Sequence, residues 1–225
     1  VLYDKQIAEA IYTQPLYNQK KAKINRGSKT VVDAAKLKKL KATDRYKATA
    51  DGVSPRWFPG SKADTYCAQG DEHNPEGLVD ETSENAIAQM NKRMQKLTVI
   101  QEKLPDPDLY IRGKVRAGVP SLDTLIIGWG STKGPVLDVL ENRKSGSAKK
   151  VGYLHYSYMW PLKTDRFVKL AKKAKKVVLV EGNHQGQLGM LLKQESGVSS
   201  THQVLKYDGR PFFYDELVSL LKPYL

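Results

Sequence analysis

Residues 122–134 read LDTLIIGWGSTKG, and on this stretch the fold turns. Leu122 to Ile127 is a short apolar run, and it stops at once on Gly128-Trp129-Gly130-Ser131-Thr132-Lys133-Gly134. A run of that length bounded by glycine predicts a buried strand, since a surface strand would alternate apolar and polar residues. Similar runs recur at Val151–Tyr156, Val177–Val180 and Gln203–Tyr207. Between them, Thr132–Arg143, Thr164–Lys175, Gln187–Gln194 and Phe213–Leu221 are helical candidates. Short buried strands separated by helices predict an α/β fold from residue 109 onward: an open, mostly parallel sheet with helices on both faces and right-handed crossovers.

Ahead of this region the pattern is less regular. Residues 1 to about 30 read as an end piece, with Val1–Ala10 as a last strand leading into a helical turn. The chain opens without Met and as though in mid-domain, which suggests a fragment, a processed chain or an engineered piece. Residues 31–47 (VVDAAKLKKLKATDRYK) fit a short amphipathic helix and a mobile linker equally well. Residues 48–79 are dense in turn signals, including Asp51-Gly52, Ser54-Pro55 and Pro59-Gly60. Trp57, Phe58 and Tyr66 predict an ordered loop, because they give it something to bury. A helix follows, capped by Thr82 or Ser83. Its stripe of Ile87, Met90, Met94 and Leu97 is expected to pack into a core. Three regions result: 1–30, a linker, loop and helix at 31–108, and the α/β domain at 109–225.

Composition narrows the function. The 225 residues are 40% hydrophobic and 27% charged, an ordinary globular balance, and hold no apolar run long enough to span a membrane. Cys67 is the only cysteine, so an internal disulfide and a self-contained iron–sulfur cluster are both excluded, and a reduced cytoplasmic setting is expected. The net charge of +13 would suit a polyanion. The lysines, however, are scattered, and their densest stretch, Lys20 to Lys47, lacks the interleaved aromatics of a base-stacking platform. No nucleic acid is therefore expected; the basic surface suits solvent, an acidic protein or a partner subunit.

In open sheets, ligands and partners meet the loops at the carboxyl ends of strands. The first such loop offers Gly128, Gly130, Ser131 and Thr132, with backbone amides able to face an anion. It is not a P-loop, because Lys133 precedes Gly134, and the strand ending Tyr156-Ser157-Tyr158 offers no acid for a ribose. The third strand ends in Glu181-Gly182-Asn183-His184-Gln185-Gly186-Gln187. Glu181, Asn183 and Gln187 there either face a cofactor, substrate or subunit, or serve the turn locally, with Asn183 and Gln185 bonding it and Glu181 capping the helix. Glu72-His73 resembles half of a metal or acid–base site without its supporting ligands. His155 and His202 have no companion carboxylate at ligand spacing, so no metal is expected. Arg56 is a candidate anion anchor or interdomain ion pair. No nucleophile–base–orienter set is legible, and no catalytic residue is assigned.

Several blocks in order resemble the alpha subunit of the 2-oxoacid:ferredoxin oxidoreductases. They are Leu2-Tyr3-Asp4-Lys5-Gln6-Ile7-Ala8-Glu9 with Ile24-Asn25-Arg26-Gly27; Arg45-Tyr46-Lys47 with Asp51-Gly52-Val53-Ser54-Pro55-Arg56 and Pro59-Gly60; Glu72-His73 with Gly77 and Met90-Asn91-Lys92-Arg93; and the tail with GWGSTKG, Glu181-Gly182-Asn183, Gly186-Gln187 and Tyr207-Asp208-Gly209-Arg210-Pro211-Phe212. The resemblance implies the carboxyl-terminal portion of a subunit of the pyruvate:ferredoxin oxidoreductase type. Residues 1–30 would end the pyrimidine-binding domain, and the tail would be a domain like the carboxyl-terminal domain of transketolases. It also implies oxidative decarboxylation of a 2-oxoacid on thiamine diphosphate, with coenzyme A taking the acyl group and electrons passing through [4Fe-4S] clusters to ferredoxin. Thiamine diphosphate and Mg²⁺ would sit on a beta subunit, with gamma, delta or ferredoxin-like subunits as further partners, so the chain alone is expected to be inactive. One departure is Asn74-Pro75, where the family commonly has an acidic residue after the Glu-His pair. The competing expectations are a freestanding α/β module binding a nucleotide or phosphorylated metabolite at GWGSTKG, and a basic nucleic-acid-binding protein.

Overall fold

A computed structural model of the protein describes residues 9, 11, 13–27, 29–143 and 149–225. The strand expected over Val1–Ala10 lies almost wholly outside these. The chain divides into two compact units, Gln14–Lys103 and Leu104–Leu225, the second also taking in Val1–Thr13.

In the first unit, residues 31–47 form neither a sustained helix nor a featureless linker. They hold one helical turn, α1 (Ala34–Leu37), and a 3-10 turn at Ala42–Arg45. Asp33 Oδ1 caps α1 by accepting from the Lys36 amide at 2.9 Å, and Leu37 is buried. The loop that follows is ordered around Trp57, which is buried, donates from Nε1 to the Asp64 carbonyl at 3.0 Å and meets the Tyr66 ring edge-on at 5.2 Å. Helix α2 (Ser83–Lys103) then runs for six turns, its first turn closed by Thr82 Oγ1 accepting from the Asn85 amide at 3.4 Å.

The stripe expected to be core on α2 is not buried: Ile87 is 63% exposed, and Met90 and Met94 are each 49% exposed. The inward face is polar. Asn85 donates to the carbonyls of His73 and Asp80, Lys92 to that of Tyr46 and Gln95 to that of Ala50. A loop without secondary structure has backbone carbonyls to satisfy, and donor side chains, not apolar ones, satisfy them. Gly52 lets the loop approach closely: its φ is +66°, and a Cβ there would meet the Lys92 carbonyl at 2.7 Å.

The second unit is an α/β sheet of six strands in the order β2-β1-β4-β3-β5-β6. They are β1 (Asp108–Ile111), β2 (Lys114–Arg116), β3 (Leu122–Trp129), β4 (Val151–Tyr156), β5 (Ala174–Glu181) and β6 (His202–Leu205), interleaved from β3 onward with α3 (Lys133–Glu141), α4 (Asp165–Ala171), α5 (Gln187–Ser196) and α6 (Tyr214–Leu221). β4, β3, β5 and β6 are parallel, with Ile127 beside Leu154 on one flank and Leu179 on the other. β1 joins antiparallel to β4, and β2 to β1. This edge hairpin has no counterpart among the expected strands. The helix expected over Thr164–Lys175 stops at Ala171 because Ala174 already begins β5, and the last strand ends at Leu205, short of Tyr207.

Alternate residues of the central strands feed two cores. Leu125, Ile127, Leu154 and Leu179 pack with Phe167 and Leu170 of α4 and Leu188 and Leu192 of α5. Ile126, Tyr153, Val178 and Val180 pack on the other face with Val136, Val139 and Leu140 of α3 and Leu217 and Leu221 of α6. That is why the central strands read as continuous apolar runs.

Candidate functional site

Chain progression reverses at β3: one crossover leads outward to β4, and the next passes back over β3 to β5. The carboxyl ends of β3 and β5 therefore flank the crevice where open sheets hold ligands or partners. Glu181, the last residue of β5, joins the two loops there and is 1% exposed. Its Oε1 accepts from Trp129 Nε1 at 2.8 Å and from Asn183 Nδ2 at 2.6 Å, and the Leu188 amide in the first turn of α5 lies 3.1 and 3.0 Å from its two oxygens. Asn183 Oδ1 in turn accepts from the amides of Gln185, Gly186 and Gln187 at 3.1, 2.7 and 3.3 Å. These are the local roles the motif allowed. Glu181 and Asn183 build the turn, while Gly182, His184, Gln185 and Gln187 remain exposed around it.

The β3 loop is held from beneath. Thr132, 5% exposed, donates from Oγ1 to the Trp129 carbonyl at 2.8 Å and lies 3.3 Å from the Tyr153 hydroxyl. Tyr153 OH is 2.9 Å from His155 Nδ1. Gly128 has no room for a side chain, since a Cβ would meet Thr132 Oγ1 at 2.8 Å and the Val180 carbonyl at 2.9 Å. Burial holds the Tyr153 hydroxyl above the usual phenol range. Burial, assisted by the Lys133 ammonium and opposed by Asp108, pulls His155 down to about 4. His155 is thus a neutral member of a buried chain of hydroxyls. The sequence hid this role, because its partners are a tyrosine and a threonine rather than a carboxylate.

Above this support the rim is open and aromatic. Gly130 and Ser131 are exposed; Trp129 at the end of β3, Tyr158 and Trp160 after β4, and Tyr207 after β6 are 38%, 50%, 58% and 65% exposed. His184 meets the Tyr207 ring edge-on at 4.6 Å. Behind Tyr207, buried Lys206 lies between Asp208 at 3.0 Å and Glu216 at 2.6 Å, and Arg210 also binds Asp208.

The first unit keeps its sequence candidates apart. Glu72 is taken by a fork from Arg93 on α2 at 3.1 and 2.6 Å, which holds its carboxyl below the usual range. The His73 ring packs against Tyr46 with centroids 4.2 Å apart, and its Nδ1 is 2.9 Å from the Asn74 carbonyl. Glu72 and His73 point to different partners and form no acid–base pair. Asn74 Oδ1 accepts from the amides of Glu76 and Leu78 at 3.1 and 3.0 Å, closing the turn. An aspartate would supply the same acceptor. Arg56 is exposed and lines a cleft together with Arg26 and Arg45, residues that share no local pattern along the chain. Among the described residues no group of three or more His, Cys, Asp and Glu is placed to hold a metal ion.

No protein-family model matches the chain. It is 34% identical over 96% of its length to the alpha subunit of 2-oxoacid:ferredoxin oxidoreductase 1 of Sulfurisphaera tokodaii, of which it covers 35%. It is 30% identical over 96% of its length to the corresponding alpha subunit of Aeropyrum pernix, of which it covers 32%. The chain thus spans about a third of the curated relatives it matches. Among solved structures, a 2-oxoglutarate:ferredoxin oxidoreductase from Magnetococcus marinus, with 2-oxoglutarate, coenzyme A and succinyl-CoA bound, superposes with a TM-score of 0.68 at 26% identity, over 80% of this chain and 30% of that one.

Proposed function

We propose that this chain, which belongs along 96% of its length with the alpha subunits of 2-oxoacid:ferredoxin oxidoreductases, acts as the carboxyl-terminal portion of such a subunit. The assembled enzyme would convert a 2-oxoacid, pyruvate or another, and coenzyme A to acyl-CoA and CO₂, with ferredoxin taking the electrons. The observation that carries this reading is a match running through both units rather than through one domain.

Within that assembly the chain shapes and docks more than it reacts. Its crevice residues are committed: Glu181 has its donors, Asn183 its amides and His155 is neutral and buried. What the rim offers outward is large aromatic surface at Trp129, Tyr158, Trp160 and Tyr207, the residue types enriched where protein surfaces meet. A beta subunit that binds the diphosphate and metal is the natural occupant of that rim.

The described residues offer no site for the family's inorganic groups. A [4Fe-4S] cluster takes four thiolates and the sequence has one cysteine. The described carboxylates and histidines form no metal-binding group. We assign thiamine diphosphate, Mg²⁺ and the clusters to the rest of the assembled enzyme, beyond these residues.

Co-expression with the beta subunit tests this. The expected result is co-elution of the two chains and 2-oxoacid- and coenzyme A-dependent reduction of ferredoxin by the complex. A chain that oxidises a 2-oxoacid unaided, or that purifies from its native source without a thiamine-binding partner, would overturn the reading.

A further inference from the structure

We propose that the Gln14–Lys103 unit carries a binding site for a small organic phosphate, built on Arg26, Arg45 and Arg56. The proposal does not rest on the oxidoreductase reading and involves no reaction.

The three arginines line one cleft of about 380 Å³ with Phe58 and Tyr66, and no acidic residue lines it. Arg45 is held between two rings, its guanidinium carbon 5.2 Å from the centroids of both Tyr46 and Tyr66. Arg26 lies over Phe58 at 5.0 Å. Arg56 is fixed through its backbone, its amide donating to the Lys29 carbonyl at 3.0 Å and its carbonyl accepting from the Val31 amide at 2.8 Å. Aromatic faces orient a guanidinium without neutralising it, so its N–H groups stay available. Elsewhere arginines have found acceptors: Arg93 grips Glu72 and Arg210 grips Asp208. Among the described residues, none of the three cleft arginines makes an ion pair.

A second observation points the same way. Among the described residues, two buried side-chain polar atoms have no hydrogen-bond partner, Arg45 Nε and Ser61 Oγ. Buried donors are rarely left unpaired without a reason. Arg45 lines the arginine cleft, and Ser61 lines an adjoining cleft of about 380 Å³ that shares Trp57, Phe58, Pro59 and Tyr66 with it. The two clefts flank one aromatic wall, with cationic donors on one side and apolar surface and a spare hydroxyl on the other. Three guanidinium groups without a counter-charge exceed what one carboxylate neutralises. A phosphoryl dianion, with several terminal oxygens to receive guanidinium forks, suits them better, and the wall receives the organic part.

The test is calorimetric titration of the full chain with ADP and inorganic pyrophosphate, with 2-oxoglutarate as the dicarboxylate arm. Both phosphate probes are expected to bind, ADP more tightly because its organic part meets the wall. Arg56→Gln and Arg26→Gln, at exposed positions, should each weaken binding at least tenfold while leaving the circular-dichroism melting curve unchanged. Lys38→Gln with Lys39→Gln removes two positive charges outside the cleft and should leave the affinity unchanged. The proposal is overturned if the phosphate probes do not bind, if the arginine variants bind as the parent does, if the lysine variant weakens binding as much, or if 2-oxoglutarate binds and pyrophosphate does not.

Discussion

Glu181 shows how much one buried carboxylate organises. It collects donors from the β3 loop, from its own turn and from the start of α5. Glu181→Ala leaves Trp129 Nε1, Asn183 Nδ2 and the Leu188 amide without that acceptor, and unpaired buried groups of this kind cost about 1–3 kcal/mol each, more beside a charge. The expected outcome is a loss of roughly 3 kcal/mol or more in urea unfolding, with Glu181→Gln losing less because one acceptor oxygen remains. His155 adds a pH dependence. Its folded-state value of about 4 lies below the unfolded 6.5, so the unfolded chain binds the extra proton between those values. Stability from the neutral ring is fully present above about pH 6.5, falls as pH drops toward 4 and changes no further below that, a span on the order of 3 kcal/mol or less. Urea midpoints measured from pH 7 to pH 4 should show that slope, and His155→Gln should flatten it.

Among the elements, legibility followed burial. β3, β4 and β5 were readable because cores on both faces demand unbroken apolar runs, and the glycine at the end of β3 marks where the chain must turn under Thr132. The β1–β2 hairpin escaped because its turn is Arg112-Gly113, with φ of 49° and 70°, where hairpins of this shape usually carry Asn-Gly or Asp-Gly. Arginine is strained there, so Arg112→Asn should raise thermal stability by about 0.5–1 kcal/mol and Arg112→Val should lower it. On α2 the helical period was right and the face was wrong. Apolar spacing points to a core only when the neighbour is apolar, and here it is a loop whose carbonyls take Asn85, Lys92 and Gln95. The close approach at Gly52 makes that docking testable. Gly52→Ala combines a positive φ with a backbone contact at 2.7 Å and should cost about 2 kcal/mol or more, read as a lower melting temperature. The arginine cleft was illegible for a different reason: residues 26, 45 and 56 share no local pattern, and only the folded loop gathers them.

At the scale of the whole molecule, the apolar surface left outside is organised. Two parts of it are the stripe of Ile87, Met90 and Met94 on α2 and the aromatic rim at the carboxyl ends of β3, β4 and β6. Both sit on a chain of net charge +13, whose self-repulsion discourages association with its own copies and favours a less basic partner. Methionine oxidation reads this arrangement directly, because peroxide attacks exposed thioethers first. In the free chain Met90, Met94 and Met190, at 49%, 49% and 57% exposed, should oxidise ahead of Met159, which packs against the α4–α5 side of the sheet. On assembly with the beta subunit, Met90 and Met94 should become protected if the α2 stripe is an interface, and Met159 should not change. Protection that appears equally at high concentration of the chain alone would assign the stripe to self-association, and unchanged oxidation in a complex that is demonstrably formed would leave α2 facing solvent.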